Sequence, residues 1–104
     1  MQPHIQRGAV LIGLLAAAGA VQAQDAHLAR NLAATCANCH GTNGQARGDM
    51  KPLAGLPAAK IVANLADFKS GAQSGTIMHQ IAKGYTDEQI RLVAAFFAAQ
   101  PASK

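Results

Sequence analysis

The chain has 104 residues, with nine Lys and Arg against five Asp and Glu, and a formal net charge of +4. A chain of this length predicts one domain. Its basic residues are scattered, with neither a Lys/Arg run nor interleaved aromatic side chains, so the sequence does not predict nucleic-acid binding. We interpret most charges as a solvated surface, although a mildly basic face favours encounters with acidic partners.

The N-terminal segment is predicted to be an export signal. One basic residue, Arg7, precedes an uncharged stretch rich in Leu, Val and Ala at residues 8–21. That stretch is shorter than the roughly 20 residues needed to cross a bilayer, and Ala23 ends a site of the kind that signal peptidase reads. We therefore expect residues 1–23 to be a cleaved signal peptide and residues 24–104 to be a periplasmic domain without stable membrane insertion. An uncleaved membrane anchor is the alternative.

The first predicted helix covers residues 26–34, where Leu28 and Leu32 are spaced four residues apart on one face. It leads directly into residues 36–40, which read Cys-Ala-Asn-Cys-His. This C-x-x-C-H pattern is typical of covalent c-type haem attachment. Attachment of this kind takes place outside the cytosol, which agrees with the predicted export signal.

The chemistry of haem attachment explains the spacing within this motif. Cys36 and Cys39 lie about one helical turn apart, so each thiol can add to one of the two vinyl groups at a haem edge. The next residue, His40, is then placed to bind the iron as the proximal ligand. A bulky cofactor also agrees with the composition, because the chain has no Trp, one Tyr and three Phe, few large side chains for the core of a small domain.

Other uses of the two cysteines fit the sequence less well. A disulfide between Cys36 and Cys39 closes only a tiny loop and constrains little. A thioredoxin-like site requires a βαβ setting, which the sequence does not predict. A zinc site requires about four ligands, and adding His27 and His79 gives no familiar zinc-binding spacing.

Three more helices are predicted after a Gly-rich loop at residues 41–55. Gly71 suits the end of the first of them, and Thr86 with Gln89 predicts a capping box at the start of the last. No sustained alternation of apolar and polar residues predicts a strand. The predicted fold class is therefore all-α. These further helices are expected over residues 58–69, 76–83 and 87–99.

If the haem serves in electron transfer, its iron benefits from a second axial ligand opposite His40, because the coordination then changes little between oxidation states. A methionine thioether opposite a histidine raises the reduction potential. We predict Met78 as this distal ligand, because one helix and two loops after His40 suit the path to the opposite haem face, and Met50 is the weaker candidate. His79 adjoins Met78 and is predicted, with His27, to be a surface residue.

The sequence resembles the class I c-type cytochromes, and the resemblance covers residues 25–100. The haem motif is its specific part, and weaker matches follow in the order expected for that class. Motif placement near the N-terminus is unlike the four-helix-bundle cytochromes. The most similar members are small periplasmic monohaem carriers and the cytochrome subunit of flavocytochrome c sulfide dehydrogenase. The matching segments after the motif are residues 41–44, 52–55, 57–71 and 76–100.

The resemblance implies three main helices and a short helix wrapped around one haem c, with Met78 as the distal ligand. It also implies that the Pro52 carbonyl accepts a hydrogen bond from the His40 ring. Tyr85 is expected either to contact a haem propionate or to be partly buried beside the short helix that carries Met78. One departure is Lys60, which stands where an aromatic residue is common in relatives.

The predicted function is periplasmic single-electron transfer by one His/Met-ligated haem c, with no substrate bond made or broken. The implied partners are redox proteins, such as a flavoprotein dehydrogenase and a terminal oxidase or other cytochrome. One alternative is a tightly bound, non-catalytic cytochrome subunit of a flavoprotein dehydrogenase of the sulfide dehydrogenase type. A haem enzyme or sensor with an open sixth site is the remaining alternative.

Overall fold

The computed structural model describes residues 26–103. The predicted signal peptide, residues 1–23, lies outside the described residues. Within residues 26–103 every regular element is helical and no strand is present, which confirms the predicted all-α class. No helix in this part of the chain is both long and apolar enough to cross a membrane. The elements are helix α1, described over residues 26–40, a 3₁₀ turn at Thr42–Gly44, and the helices α2 at Ala58–Ser70, α3 at Met78–Lys83 and α4 at Asp87–Ala98.

Helix α1 continues farther than the apolar spacing predicted, from the expected end at residue 34 through His40. The amide of Gly41 still donates to the Ala37 carbonyl at 3.0 Å, and Gly41 then turns the chain with a φ of 86°. The extension has a local reason, because residues 35–40 contain neither Gly nor Pro. The C-x-x-C-H motif is therefore the last turn and a half of a helix.

The predicted helix ends are largely confirmed. The Thr86 hydroxyl accepts a hydrogen bond from the Gln89 amide, and the Gln89 side chain accepts one from the Thr86 amide. Gly71 ends α2 in the left-handed conformation with a φ of 89°. Pro57 is the N-cap of α2, and α3 begins at Met78, two residues later than predicted.

The core lies where α1, α2 and α4 meet. Phe97 has no exposed surface, and its ring meets that of Phe96 edge to face with centroids 5.3 Å apart. This arrangement is the preferred one for two aromatic rings. The small side chains let the helices approach closely, and Phe97 supplies the bulk between them. The buried cluster consists of Ala33, Ile61, Val93, Ala94 and Phe97.

The loop between the 3₁₀ turn and α2 is held against this core by backbone hydrogen bonds. The Gly44 carbonyl accepts from the amides of Leu53 and Ala54 at 3.0 and 3.2 Å. The Gly55 amide donates to the Phe97 carbonyl at 2.9 Å. These bonds fix the loop beside the end of α1, where His40 lies.

Candidate functional site

The two cysteines of the motif have different surroundings. Cys36 is half-buried and packs against the core cluster, whereas Cys39 is exposed. Burial raises the pKa of the Cys36 thiol, partly offset by a backbone hydrogen bond, so this thiol is held in its neutral form. Neither cysteine is in a disulfide. Both sulfur atoms are therefore free for chemistry with another group.

The imidazole of His40 is held by the following loop. Its Nδ1 lies 2.7 Å from the carbonyl oxygen of Lys51. A carbonyl oxygen only accepts, so Nδ1 carries the hydrogen and the lone pair is left on Nε2. The structure thus presents Nε2 as the nitrogen available to a metal ion, with the other ring nitrogen oriented by a second-sphere hydrogen bond.

The carbonyl that accepts this hydrogen bond differs from the expected one. The resemblance implied the Pro52 carbonyl, and that expectation is wrong by one residue, because the partner is Lys51. The reason is the anchoring of the next residues: the amides of Leu53 and Ala54 both bind the Gly44 carbonyl. This anchoring fixes the chain beyond Pro52 and places the carbonyl before the proline ring beside His40.

An apolar cavity brings Cys36 and Met78 together, although they lie on different helices. Its lining has no exposed polar surface, and Met78 is half-buried there. The cavity volume is about 20 Å³, roughly the room of one water molecule. The side chains that line the cavity must therefore move apart for a haem to bind there. Cys39 and His40 are not part of the lining. The lining residues are Cys36, Leu65, Met78, Ile81, Tyr85, Ile90 and Val93.

The chemistry of this donor set fits a c-type haem. Two free thiols one helical turn apart, an imidazole with a directed lone pair and a thioether are the ligands that attachment and axial coordination use. The aliphatic side chains around Met78 suit the faces of a porphyrin. Within residues 26–103 no group of three His, Cys, Asp or Glu side chains is placed to hold a metal ion.

The other candidate ligands lie elsewhere. The Met50 side chain is 43% exposed, in the loop after the 3₁₀ turn, and does not line the apolar cavity. His79 is half-buried and lines a separate cavity of about 310 Å³ near the end of α2, together with Lys69 and Lys83. His27 is exposed. Met78 and His79 therefore face different cavities, as adjacent residues in a helical turn do.

Sequence reasoning missed one contact at this site. The Tyr85 hydroxyl donates to the Leu32 carbonyl at 3.1 Å, while its ring lines the cavity beside Met78. The expected partial burial of Tyr85 is what the structure shows. No sequence signal connects these two residues, because only the packing of α1 against the segment after α3 brings them together.

Comparison with known proteins places this arrangement in context. The model of the cytochrome c family matches residues 26–100. The cytochrome subunit of sulfide dehydrogenase from Chlorobaculum tepidum is 41% identical over 64% of this chain and 60% of that protein. Cytochrome c-553 from Helicobacter pylori is 39% identical over 82% of this chain and 88% of that protein.

A solved structure shows the same fold. The cytochrome c4 structure from Acidithiobacillus ferrooxidans superposes with a TM-score of 0.59 and 39% sequence identity, covering 62% of this chain and 38% of that one. The chain thus spans less than two thirds of the length of the Chlorobaculum tepidum subunit and of the cytochrome c4 chain. The family-model match at residues 26–100 covers the C-x-x-C-H motif and the helices that follow it.

Proposed function

We propose that this chain, which belongs to the cytochrome c family, transfers single electrons in the periplasm through one haem c. Covalently bound haem c is the cofactor of this family, and it supplies the Fe(III)/Fe(II) couple when bound. The protein breaks no substrate bond. Its residues would hold the cofactor through two thiols, an imidazole and a thioether.

Each residue of the motif has a defined role in this proposal. Cys36 and Cys39 would hold the cofactor covalently, each by adding its S–H across one vinyl group, so that no oxidant is consumed. His40 would bind the iron through Nε2, with the Lys51 carbonyl holding the ring orientation from the Nδ1 side. Met78 would supply the second, thioether ligand.

The observation that carries the proposal is the shared cavity of Cys36 and Met78. The last turn of α1, a 3₁₀ turn, two loops and α2 separate them along the chain, yet both side chains line one apolar space. Met50 and His79 are outside it. A thioether beside Cys36, available as a sixth ligand, also favours electron transfer over an enzyme or sensor with an open site.

A tightly bound dehydrogenase subunit is a second candidate, favoured by one observation. The Chlorobaculum tepidum relative, 41% identical over the matched region, is named as the cytochrome subunit of sulfide dehydrogenase. Stable interfaces of that kind are large and apolar. Of the large apolar side chains at residues 26–103, only Leu28, Met50 and Ile77 are exposed, and they lie on three different segments. Because these exposed side chains are scattered, we prefer the free carrier to the tightly bound subunit.

The proposal is tested by replacing the two methionines separately. We expect Met78→Leu, expressed with haem attachment, to lose the weak red absorption band that Fe(III)–Met bonding produces and to lower the reduction potential, because a thioether raises it. Met50→Leu is the matched control and should retain both properties. Leu conserves the volume of Met, so the fold should tolerate either change. A Met78→Leu spectrum identical to that of the wild type contradicts the distal assignment.

A further inference from the structure

Tyr85 is the point at which three helices are tied together. Its hydroxyl donates to the Leu32 carbonyl on α1 at 3.1 Å, and its own carbonyl accepts a hydrogen bond from the Lys69 ammonium on α2 at 2.6 Å. Its amide donates to the Ala82 carbonyl in α3 at 3.2 Å. The residue follows the helix that Met78 begins, and its half-buried ring packs against the core cluster.

The hydroxyl bond reaches the turn of α1 that carries the first cysteine. In an α-helix the carbonyl of residue i accepts from the amide of residue i+4, so the Leu32 carbonyl is also the helical acceptor for Cys36. A carbonyl has two lone pairs and can accept both bonds. Through this one oxygen, the segment after Met78 is joined to the helical turn that holds a thioether of the cofactor.

We propose that Tyr85 is a positioning residue. Its hydroxyl bond joins the end of α3, the helix that Met78 begins, to α1, which carries both cysteines, and so keeps the distal sulfur on the iron. The inference rests on the proposed function, because it requires Met78 to be the distal ligand. Without the Tyr85–Leu32 bond, the C-terminal end of α3 is held by the hydrogen bond from Lys69 to the Tyr85 carbonyl and by the packing of the Tyr85 ring. The segment then detaches more often, and the sixth position is open for a larger fraction of the time.

The fraction of open molecules is measurable with an external ligand. Imidazole binds ferric haem only after Met78 has left, so its apparent affinity is the intrinsic affinity multiplied by the open fraction. A typical hydrogen bond contributes a factor of about 2 to 12 to such an equilibrium. We therefore expect Tyr85→Phe, which removes only the hydroxyl, to tighten imidazole binding about three- to ten-fold.

Gln45→Leu provides a matched control. The Gln45 side chain also donates to a distant backbone carbonyl, that of Pro101 at 2.6 Å, but it does not line the cavity of Met78. Both variants lose one bond between a side chain and the main chain while keeping most of the side-chain volume. The experiment titrates the haem-loaded wild type and both variants with imidazole by visible absorption, and measures their unfolding in guanidinium chloride.

The expected result is tighter imidazole binding in Tyr85→Phe alone, with intact red bands at zero imidazole in all three proteins. Equal affinities in all three proteins overturn the inference and leave the ligand assignment standing. Equal tightening in both variants also overturns it, because the effect is then a general loosening of the fold. A wild type without the red band refutes the Met78 assignment and this inference with it.

Discussion

Gly44 shows how one residue without a side chain shapes the site. It ends the 3₁₀ turn after His40 with a φ of 78°, and its carbonyl accepts the amides of both Leu53 and Ala54. A Cβ atom at this position would lie 2.7 Å from the Ala54 nitrogen and 2.9 Å from a ring carbon of Phe97. Two separate reasons, the backbone conformation and the crowding, therefore require Gly here.

We expect Gly44→Ala to destabilise the protein by about 3 kcal/mol, from roughly 1–2 kcal/mol for the left-handed backbone and a similar cost for overpacking. Gly48→Ala separates the backbone cost from the overpacking cost, because Gly48 has a φ of 62° but open space where its Cβ atom would lie. This control should cost only about 1–2 kcal/mol. Guanidinium unfolding followed by circular dichroism measures both. Equal losses in the two variants contradict the crowding argument.

At the residue scale, the sequence indicates which residue types could carry the chemistry but not which contacts hold them in place. The motif at residues 36–40 identifies its own chemistry, because covalent attachment requires those residue types at that spacing. The acceptor for the His40 ring did not follow from the sequence, because it depends on where the loop is anchored, and the prediction of Pro52 missed by one residue. The Tyr85–Leu32 bond joins residues far apart in the chain and has no local signal.

Helix α4 illustrates how an element is stabilised at its start. Thr86 and Gln89 form reciprocal hydrogen bonds of 3.1 and 2.9 Å, which satisfy two amides that the helix itself leaves unpaired. Asp87 and Glu88 add negative charge to the first turn, where the helix dipole favours it. Because α4 carries Ile90 and Val93 into the cavity and Phe97 into the core, its first turn supports the site indirectly.

We expect Thr86→Ala to lower the free energy of unfolding by about 1 kcal/mol, because the side-chain acceptor for the Gln89 amide is lost. Thr86→Ser is the matched control, since it keeps the hydroxyl and should change stability by only a few tenths of a kcal/mol. Thermal unfolding of the haem-loaded variants checks this. A serine variant as unstable as the alanine variant counts against the capping box as the cause.

Elements were predictable where their determinants are local. The capping box of α4 and the left-handed Gly71 after α2 are encoded within a few residues, and both were predicted correctly. Apolar spacing alone did not predict the continuation of α1 to His40, because the last turn lacks the regular pattern that identified the first part of the helix. Helix α3 begins two residues later than predicted for a related reason. It is short and has no side-chain cap, so packing rather than a local signal decides where it begins.

At the scale of the whole chain, its charge and the exposed apolar side chains at residues 26–103 bear on the proposal of a diffusing carrier. Without the predicted signal peptide and its Arg7, residues 24–104 carry eight Lys and Arg against five Asp and Glu, a formal net charge of +3, which attracts an acidic partner over long range without holding it. Among residues 26–103, the most exposed large apolar side chain is Ile77 at 57%, followed by Leu28 and Met50 at 45% and 43%. Transient redox complexes bury less area than stable subunit interfaces. The scattered apolar exposure at residues 26–103 agrees with the proposed diffusing carrier.

We expect the native protein, purified from its own cells without a tag, to elute from gel filtration at the volume of a single chain at high salt. The reason is that a partner held mainly by charge dissociates when ions screen the attraction. Association seen only at low salt also agrees with a diffusing carrier. Co-elution with a flavoprotein at high salt indicates a large apolar interface instead, and it would replace the free carrier with the dehydrogenase subunit. Mass spectrometry of the eluted fractions distinguishes these outcomes and reports the covalent haem in the same measurement.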